Sequence, residues 1–116
     1  MIMDHKLKLM VVDDSPLFRT WLIHSLSEDD RFQVVGYAVN ALDAQEKIPL
    51  LQPDMLTLDI EMPGMNGFEV TRKLKNEFTT SHIPIILLTA LNIEEKYQEG
   101  IESGADAYIT KPFNVS

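Results

Sequence analysis

Short apolar runs alternate with amphipathic stretches along the chain, which is the sequence mark of β-α-β units on a parallel sheet. Leu7 to Val12, Gln33 to Ala38, Met55 to Leu58, Ile85 to Leu88 and Ala107 to Ile109 are rich in Leu, Ile and Val without strict polar alternation. Such runs are expected of strands covered on both faces. Between them lie helix signals. Ser15 can cap and Pro16 occupy the first helical position of a helix carrying Phe18, Leu22 and Leu26 at i, i+4, i+8. Ala41 to Leu51 forms a second helix, closed at Gln52-Pro53-Asp54, with Pro49 expected to distort its last turn. Asn66 caps a third running to about Phe78, with Phe68, Leu74 and Phe78 among its apolar residues, followed by a polar loop over Thr79 to His82. Asn92 caps a fourth that stops at Gly104 and is loosened by Gly100. The chain ends five residues after Lys111, so no helix is expected after the fifth strand.

At 116 residues the chain makes one domain, 1–116, with no linker or repeat, and is expected to be a fragment of a longer chain. The net charge of −8 argues against direct nucleic-acid binding, which needs Lys or Arg beside each phosphate. The absence of cysteine excludes disulfides and thiolate metal sites. Apolar runs such as Ile83 to Leu88 are far shorter than the roughly 18 to 20 residues that span a bilayer. The start Met-Ile-Met-Asp-His-Lys has no signal-peptide core, so the expected location is cytoplasmic, without membrane insertion.

The candidate chemistry lies at strand ends. Asp13 and Asp14 follow the first strand, Asp59 ends the third, Thr89 ends the fourth and Lys111 follows the fifth. In a doubly wound sheet of order 2-1-3-4-5, strands one and three are neighbours where the winding reverses, and ligands bind in the crevice there. The fold would gather three acids, a hydroxyl and an ammonium into one pocket. Three close carboxylates repel, and a divalent cation resolves the conflict; oxygen ligands without His or Cys at ligand spacing favour Mg²⁺. A carboxylate beside a metal, a Lys and a hydroxyl can attack a phosphoryl group and form an acyl phosphate. Asp59 stands alone at its strand end and suits the nucleophile; Asp13 and Asp14 are a pair suited to the metal.

Taken singly, these residues have plainer readings: a strand-end Asp is most often a turn residue, Lys111 a solvated charge, Thr89 an ordinary strand residue and Tyr108 a packing aromatic. Their coincidence carries the functional reading. Leu17 and Trp21 are either core or rim, or an apolar docking patch for a histidine-bearing helix. His5, His24 and His82 show no ligand spacing.

Four motifs in order resemble the response-regulator receiver family over nearly the whole chain: Val11-Val12-Asp13-Asp14-Ser15, Leu58-Asp59-Ile60-Glu61-Met62-Pro63-Gly64-Met65-Asn66-Gly67, Leu88-Thr89-Ala90 and Tyr108-Ile109-Thr110-Lys111-Pro112-Phe113. The resemblance implies a flavodoxin-like fold, chemotaxis-regulator-like, here without its last helix, which normally covers the sheet near the first strand. It implies Asp14, Asp59 and the main-chain carbonyl of Glu61 as direct Mg²⁺ ligands, with Asp13 acting through water. It implies that Asp59 takes phosphate from a histidine kinase or histidine phosphotransfer protein, that Thr89 and Tyr108 are a switch pair, and that Lys111-Pro112 is a cis peptide. A change of surface around the fourth helix and fifth strand would then reach an effector domain or protein. The chain would catalyse its own phosphorylation and dephosphorylation without being a conventional enzyme. Two other readings stay open: a pseudo-receiver that binds partners without phosphate, and a phosphatase with an aspartyl-phosphate intermediate. Phe32 to Gly36 and Leu58 to Pro63 are similar to receivers of chemotaxis methylesterases, whereas Ala105 to Phe113 is more like hybrid-kinase receivers, so the subfamily is unassigned.

Overall fold

The computed structural model describes residues 5–62, 66–89 and 101–111. Strands β1 (Leu7–Val12), β2 (Phe32–Ala38), β3 (Met55–Asp59), β4 (Ile85–Thr89) and β5 (Ala107–Thr110) form one sheet of order β2-β1-β3-β4-β5. Every neighbouring pair is parallel. Three helices lie among the described residues: α1 (Pro16–Ser27), α2 (Ala41–Leu51) and α3 (Gly67–Asn76). The doubly wound α/β architecture and its strand order are those expected from the sequence.

The helix starts follow local chemistry. Ser15 Oγ accepts from Phe18 N at 3.4 Å with Pro16 beginning α1. Asn40, whose capping role had no strong sequence signal, accepts from Asp43 N at 2.8 Å. Asn66 and Glu69 form a reciprocal capping box, each bond 3.0 Å, that satisfies two otherwise orphaned N–H groups. The helix α2 runs through Pro49 and ends at Gln52, in the left-handed region at φ 48°.

Met10, Val12, Leu56, Leu58, Ile85 and Leu87 pack on one sheet face against Ala44 and Ile48 of α2 and Phe68 and Leu74 of α3. Each such fully buried aliphatic side chain contributes roughly 1.5–3 kcal/mol. Leu9 and Val11 alternate to the opposite face and are equally buried. Lys75 Nζ, 2.8 Å from both Ile83 O and Asp106 Oδ2, ties the end of α3 to the entry of β5.

Two expectations are corrected, and one irregularity is added. The helix α3 stops at Asn76, because Glu77 turns to extended backbone and Thr80 Oγ1 donates to Leu74 O at 2.6 Å; Phe78 is therefore not on the packed face but 94% exposed. The strand β5 is not covered on both faces: Tyr108 packs on the core cluster, but Ala107 and Ile109 are exposed, since α1 lies over β1 and β2 rather than β5. The pairing of β2 with β1 is irregular, Val34 and Gly36 opposing successive residues Leu9 and Met10 so that Val35 is extra.

The expected fourth helix lies outside the described residues except at its end, where Gly104 N donates to Ile101 O at 3.1 Å with φ 96°, a conformation suited to glycine. The Lys111-Pro112 peptide bond also lies outside them. Among the described residues no helix is long and apolar enough to cross a membrane.

Candidate functional site

The sheet order sets β1 beside β3, so the acids following each strand converge at the carboxyl edge. One oxygen each from Asp13, Asp14 and Asp59 lies within 4.8 Å of the others. Asp13 is 1% exposed and Asp59 2%, so both carboxylates are cut off from bulk water. Lys111 follows β5, its N–H bonded to Thr89 O at 2.6 Å, and its Nζ stands 3.0 Å from Asp59 Oδ1 and 4.0 Å from Asp13 Oδ2. The structure thus brings together four of the sequence-derived site residues around one point.

The electrostatics are unbalanced, with three carboxylates facing one ammonium. Burial pushes the Asp59 carboxyl up to about 6, against the hydrogen bond from Lys111, and the Asp13 charge adds to the rise. Burial likewise raises Asp13, against the hydrogen bond that Ser15 N donates to its Oδ1 at 2.8 Å. The other oxygen of Asp13, Oδ2, is buried and accepts no hydrogen bond from the described residues. A buried carboxylate oxygen without a donor, in a cluster of three acids, is the environment a divalent cation satisfies, and an all-oxygen ligand set suits a hard one.

Thr89 is fully buried, and its Oγ1 donates to Glu61 Oε2 at 2.6 Å. Glu61 itself is held at the site by its N–H, 3.3 Å from Asp59 Oδ1. Tyr108 pairs with Leu87, so its side chain and that of Thr89 project from the same sheet face on adjacent strands. Burial and the charge of Glu61 raise the Tyr108 phenol. On α1, Leu17 is 69% exposed and Trp21 37% exposed, placing both at the rim. His24 makes only an exposed contact with Glu28 at 3.7 Å.

Four contributions were illegible, or only partly legible, in the sequence. Arg19 Nη1 donates to Asp13 O at 2.9 Å and its guanidinium lies 4.3 Å from the Tyr37 ring centroid, pinning the acid loop to β2. Phe18 presents its ring 4.3 Å from Lys111 Nζ. Glu61, which the sequence leaves as an exposed loop acid, a gate beside the phosphoryl site or both, reaches the site by accepting from Thr89, a contact the sequence does not show. Gly67 is needed because a Cβ there would meet Asp59 O at 2.7 Å and Ile60 Cα at 2.8 Å. The i, i+4, i+8 spacing with Leu22 and Leu26 is the signal that could place Phe18 facing inward; the close approach at Gly67 and the contacts of Arg19 and Glu61 carry no local signal.

The sequence profile of the family described as response regulator receiver domain matches residues 9–116. Among curated proteins, the chain is 39% identical over 113 residues to a protein-glutamate methylesterase/protein-glutamine glutaminase of Vibrio vulnificus, covering 96% of this chain and 32% of that protein. It is 36% identical over 113 residues to the DNA-binding dual master transcriptional regulator RpaA of Synechocystis, covering 93% of this chain and 44% of that one. The chain spans about a third of the length of the methylesterase relatives. Among solved structures, the response regulator domain of Thermotoga maritima CheB superposes with a TM-score of 0.82 at 32% identity, covering 97% of this chain and 83% of that one. Vibrio cholerae chemotaxis protein CheY4 gives 0.81 at 30%, covering 96% and 91%. Sheet order, acid cluster and sequence likeness agree: the chain belongs to the response regulator receiver domain family of two-component systems.

Proposed function

We propose that residues 1–116 act as a single phosphoryl-accepting receiver domain of a longer chain, in which Asp59 takes a phosphoryl group from a phosphohistidine on a histidine kinase or histidine phosphotransfer protein. The observation that carries this reading is Lys111 Nζ at 3.0 Å from a buried Asp59 inside a three-acid cluster. Mg²⁺ would be held by Asp13, Asp14, Asp59 and the main-chain carbonyl of Glu61, and it supplies neutralisation of phosphoryl oxygens when bound.

An Asp59 carboxylate oxygen bonds to phosphorus as the P–N bond of the donor breaks, and the histidine nitrogen keeps the electron pair. Lys111 meets the negative charge on a transferring oxygen. Thr89 starts with its hydroxyl on Glu61. A phosphoryl group on Asp59 adds a charge of roughly −2 and three strong acceptors beside it, favouring transfer of that hydroxyl from Glu61 to a phosphoryl oxygen. Repulsion of the Glu61 carboxylate acts in the same direction. Tyr108 lies behind Thr89 on the same face and would read the move, turning inward and changing the surface between the fourth helix and β5 for an effector domain or protein. The relatives named as methylesterase and as DNA-binding regulator are two to three times longer than this chain, which supports placing the output in a separate module. The chain's own acidity makes direct nucleic-acid contact unfavourable.

Intact-mass measurement after incubation with acetyl phosphate and Mg²⁺ tests the reading. One added phosphoryl unit is expected, absent from Asp59→Asn. No mass gain under saturating donor favours a pseudo-receiver; steady turnover of a phosphomonoester favours a phosphatase.

A further inference from the structure

Lysine carries its charge on a flexible four-carbon stem, so an ammonium that must meet a transferring oxygen needs anchors beyond its backbone. Lys111 has its backbone anchor at Thr89 O; its Nζ lies beyond hydrogen-bond distance of Asp13 Oδ2, at 4.0 Å, and has two closer-fitting partners of different kinds: Asp59 Oδ1 at 3.0 Å and the Phe18 ring, centroid 4.3 Å away. We propose that the π face of Phe18 is the positioning surface for the Lys111 ammonium. This inference rests on the phosphoryl-acceptor reading above.

The two partners differ in what the reaction does to them. Conversion of the Asp59 carboxylate to an acyl phosphate moves its charge onto phosphoryl oxygens, so the carboxylate anchor changes at the moment the lysine is needed. The Phe18 ring is untouched by the chemistry and holds the ammonium on the α1 side before and after transfer. Its quadrupole attracts a cation over the face, and the attraction is strongest where water is excluded. Both conditions are met: Phe18 is 7% exposed and the Lys111 side chain 13%. An aliphatic residue of similar volume would fill the space without holding the charge.

The ring is placed by the same turn that places the acids. Phe18 N donates to Ser15 Oγ at 3.4 Å, and Ser15 N donates to Asp13 Oδ1 at 2.8 Å. The acid, the cap and the ring are therefore registered within one helix start. Trp21 packs on Phe18 at 5.6 Å between centroids, tilted by 34°. Because Trp21 is 37% exposed, a partner seated on α1 could press on the ring that positions Lys111.

The test replaces Phe18 in the full chain by mono-, di- and trifluorophenylalanine, which keep the ring's shape while draining electron density from its face. The rate of mass gain from acetyl phosphate with Mg²⁺ should fall stepwise, by about three- to tenfold in total. A second readout uses the metal-free, unphosphorylated protein: the Lys111 ε-methylene protons, shifted by the aromatic ring current, should move to ordinary lysine positions in Phe18→Leu. A rate that stays flat across the fluorinated series, or ε-methylene protons already at ordinary positions with Phe18 in place, overturns the inference. If Phe18→Leu does not fold, the fluorinated series decides alone. An unsubstituted chain that gains no phosphoryl mass overturns the acceptor reading and this inference with it. Normal labelling with a flat series removes only the role of Phe18.

Discussion

Asp59 sits 2% exposed beside a second buried acid, and one lysine does not restore what water would have given them both. Its carboxyl, pushed up from 3.8 to about 6 by burial, makes the metal-free fold sensitive to pH. Well below 3.8, at about pH 3 and under, the group is protonated in both folded and unfolded chains and has no differential effect. As pH rises toward 6, the unfolded chain ionises first and the folded state holds the extra proton. Stability therefore falls through that window, and above it the folded protein carries a buried charge at full cost. Asp59→Asn should accordingly raise the urea-unfolding free energy of the chelated protein at pH 7.5 by about 2 kcal/mol and change it little at pH 4. An equal effect at both pH values would show that the substitution acts by packing rather than by charge.

At the scale of elements, the site depends on how closely α3 approaches the end of β3. The Gly67 N–H bonds to Ile60 O at 3.1 Å, and the capping box fixes the helix start there. The atoms that a Cβ would strike are backbone, at 2.7 and 2.8 Å, and cannot rotate away. Gly67→Ala should cost about 1–3 kcal/mol, read as a lower urea midpoint at unchanged slope, and should slow labelling by shifting the Asp59 loop. An unchanged midpoint would contradict the close approach. The strands were legible because buried parallel strands write themselves as apolar runs, and α1 and α3 because Ser15 and Asn66 are strong caps. What failed has physical causes. Phe78 is apolar at a helical interval from Leu74, but side-chain capping by Thr80 ends α3 before it. The apolar Ile109 gave no sign that β5 lies beyond the reach of α1. Propensity describes a segment, whereas both outcomes depend on a neighbour.

The whole molecule converts a one-dimensional pattern into a point. Asp13, Asp14, Asp59 and Lys111 come from three strand ends that the order β2-β1-β3-β4-β5 draws to one edge. That much was legible, because strand ends and winding order suffice to locate a crevice. The contacts of Phe18 and Arg19 and the bond between Thr89 and Glu61 were not, since a ring over an ammonium or a carboxylate on a threonine is decided by where separate segments meet. Asp59 is the proposed acceptor among several acids within reach. Reducing the phosphorylated chain with borohydride converts an aspartyl phosphate to homoserine, and peptide sequencing by mass spectrometry then locates it. Homoserine at position 59 alone is the expected result; homoserine at 13 or 14, or the 5-hydroxynorvaline that a glutamyl phosphate would give at 61, with Asp59 intact, would contradict it.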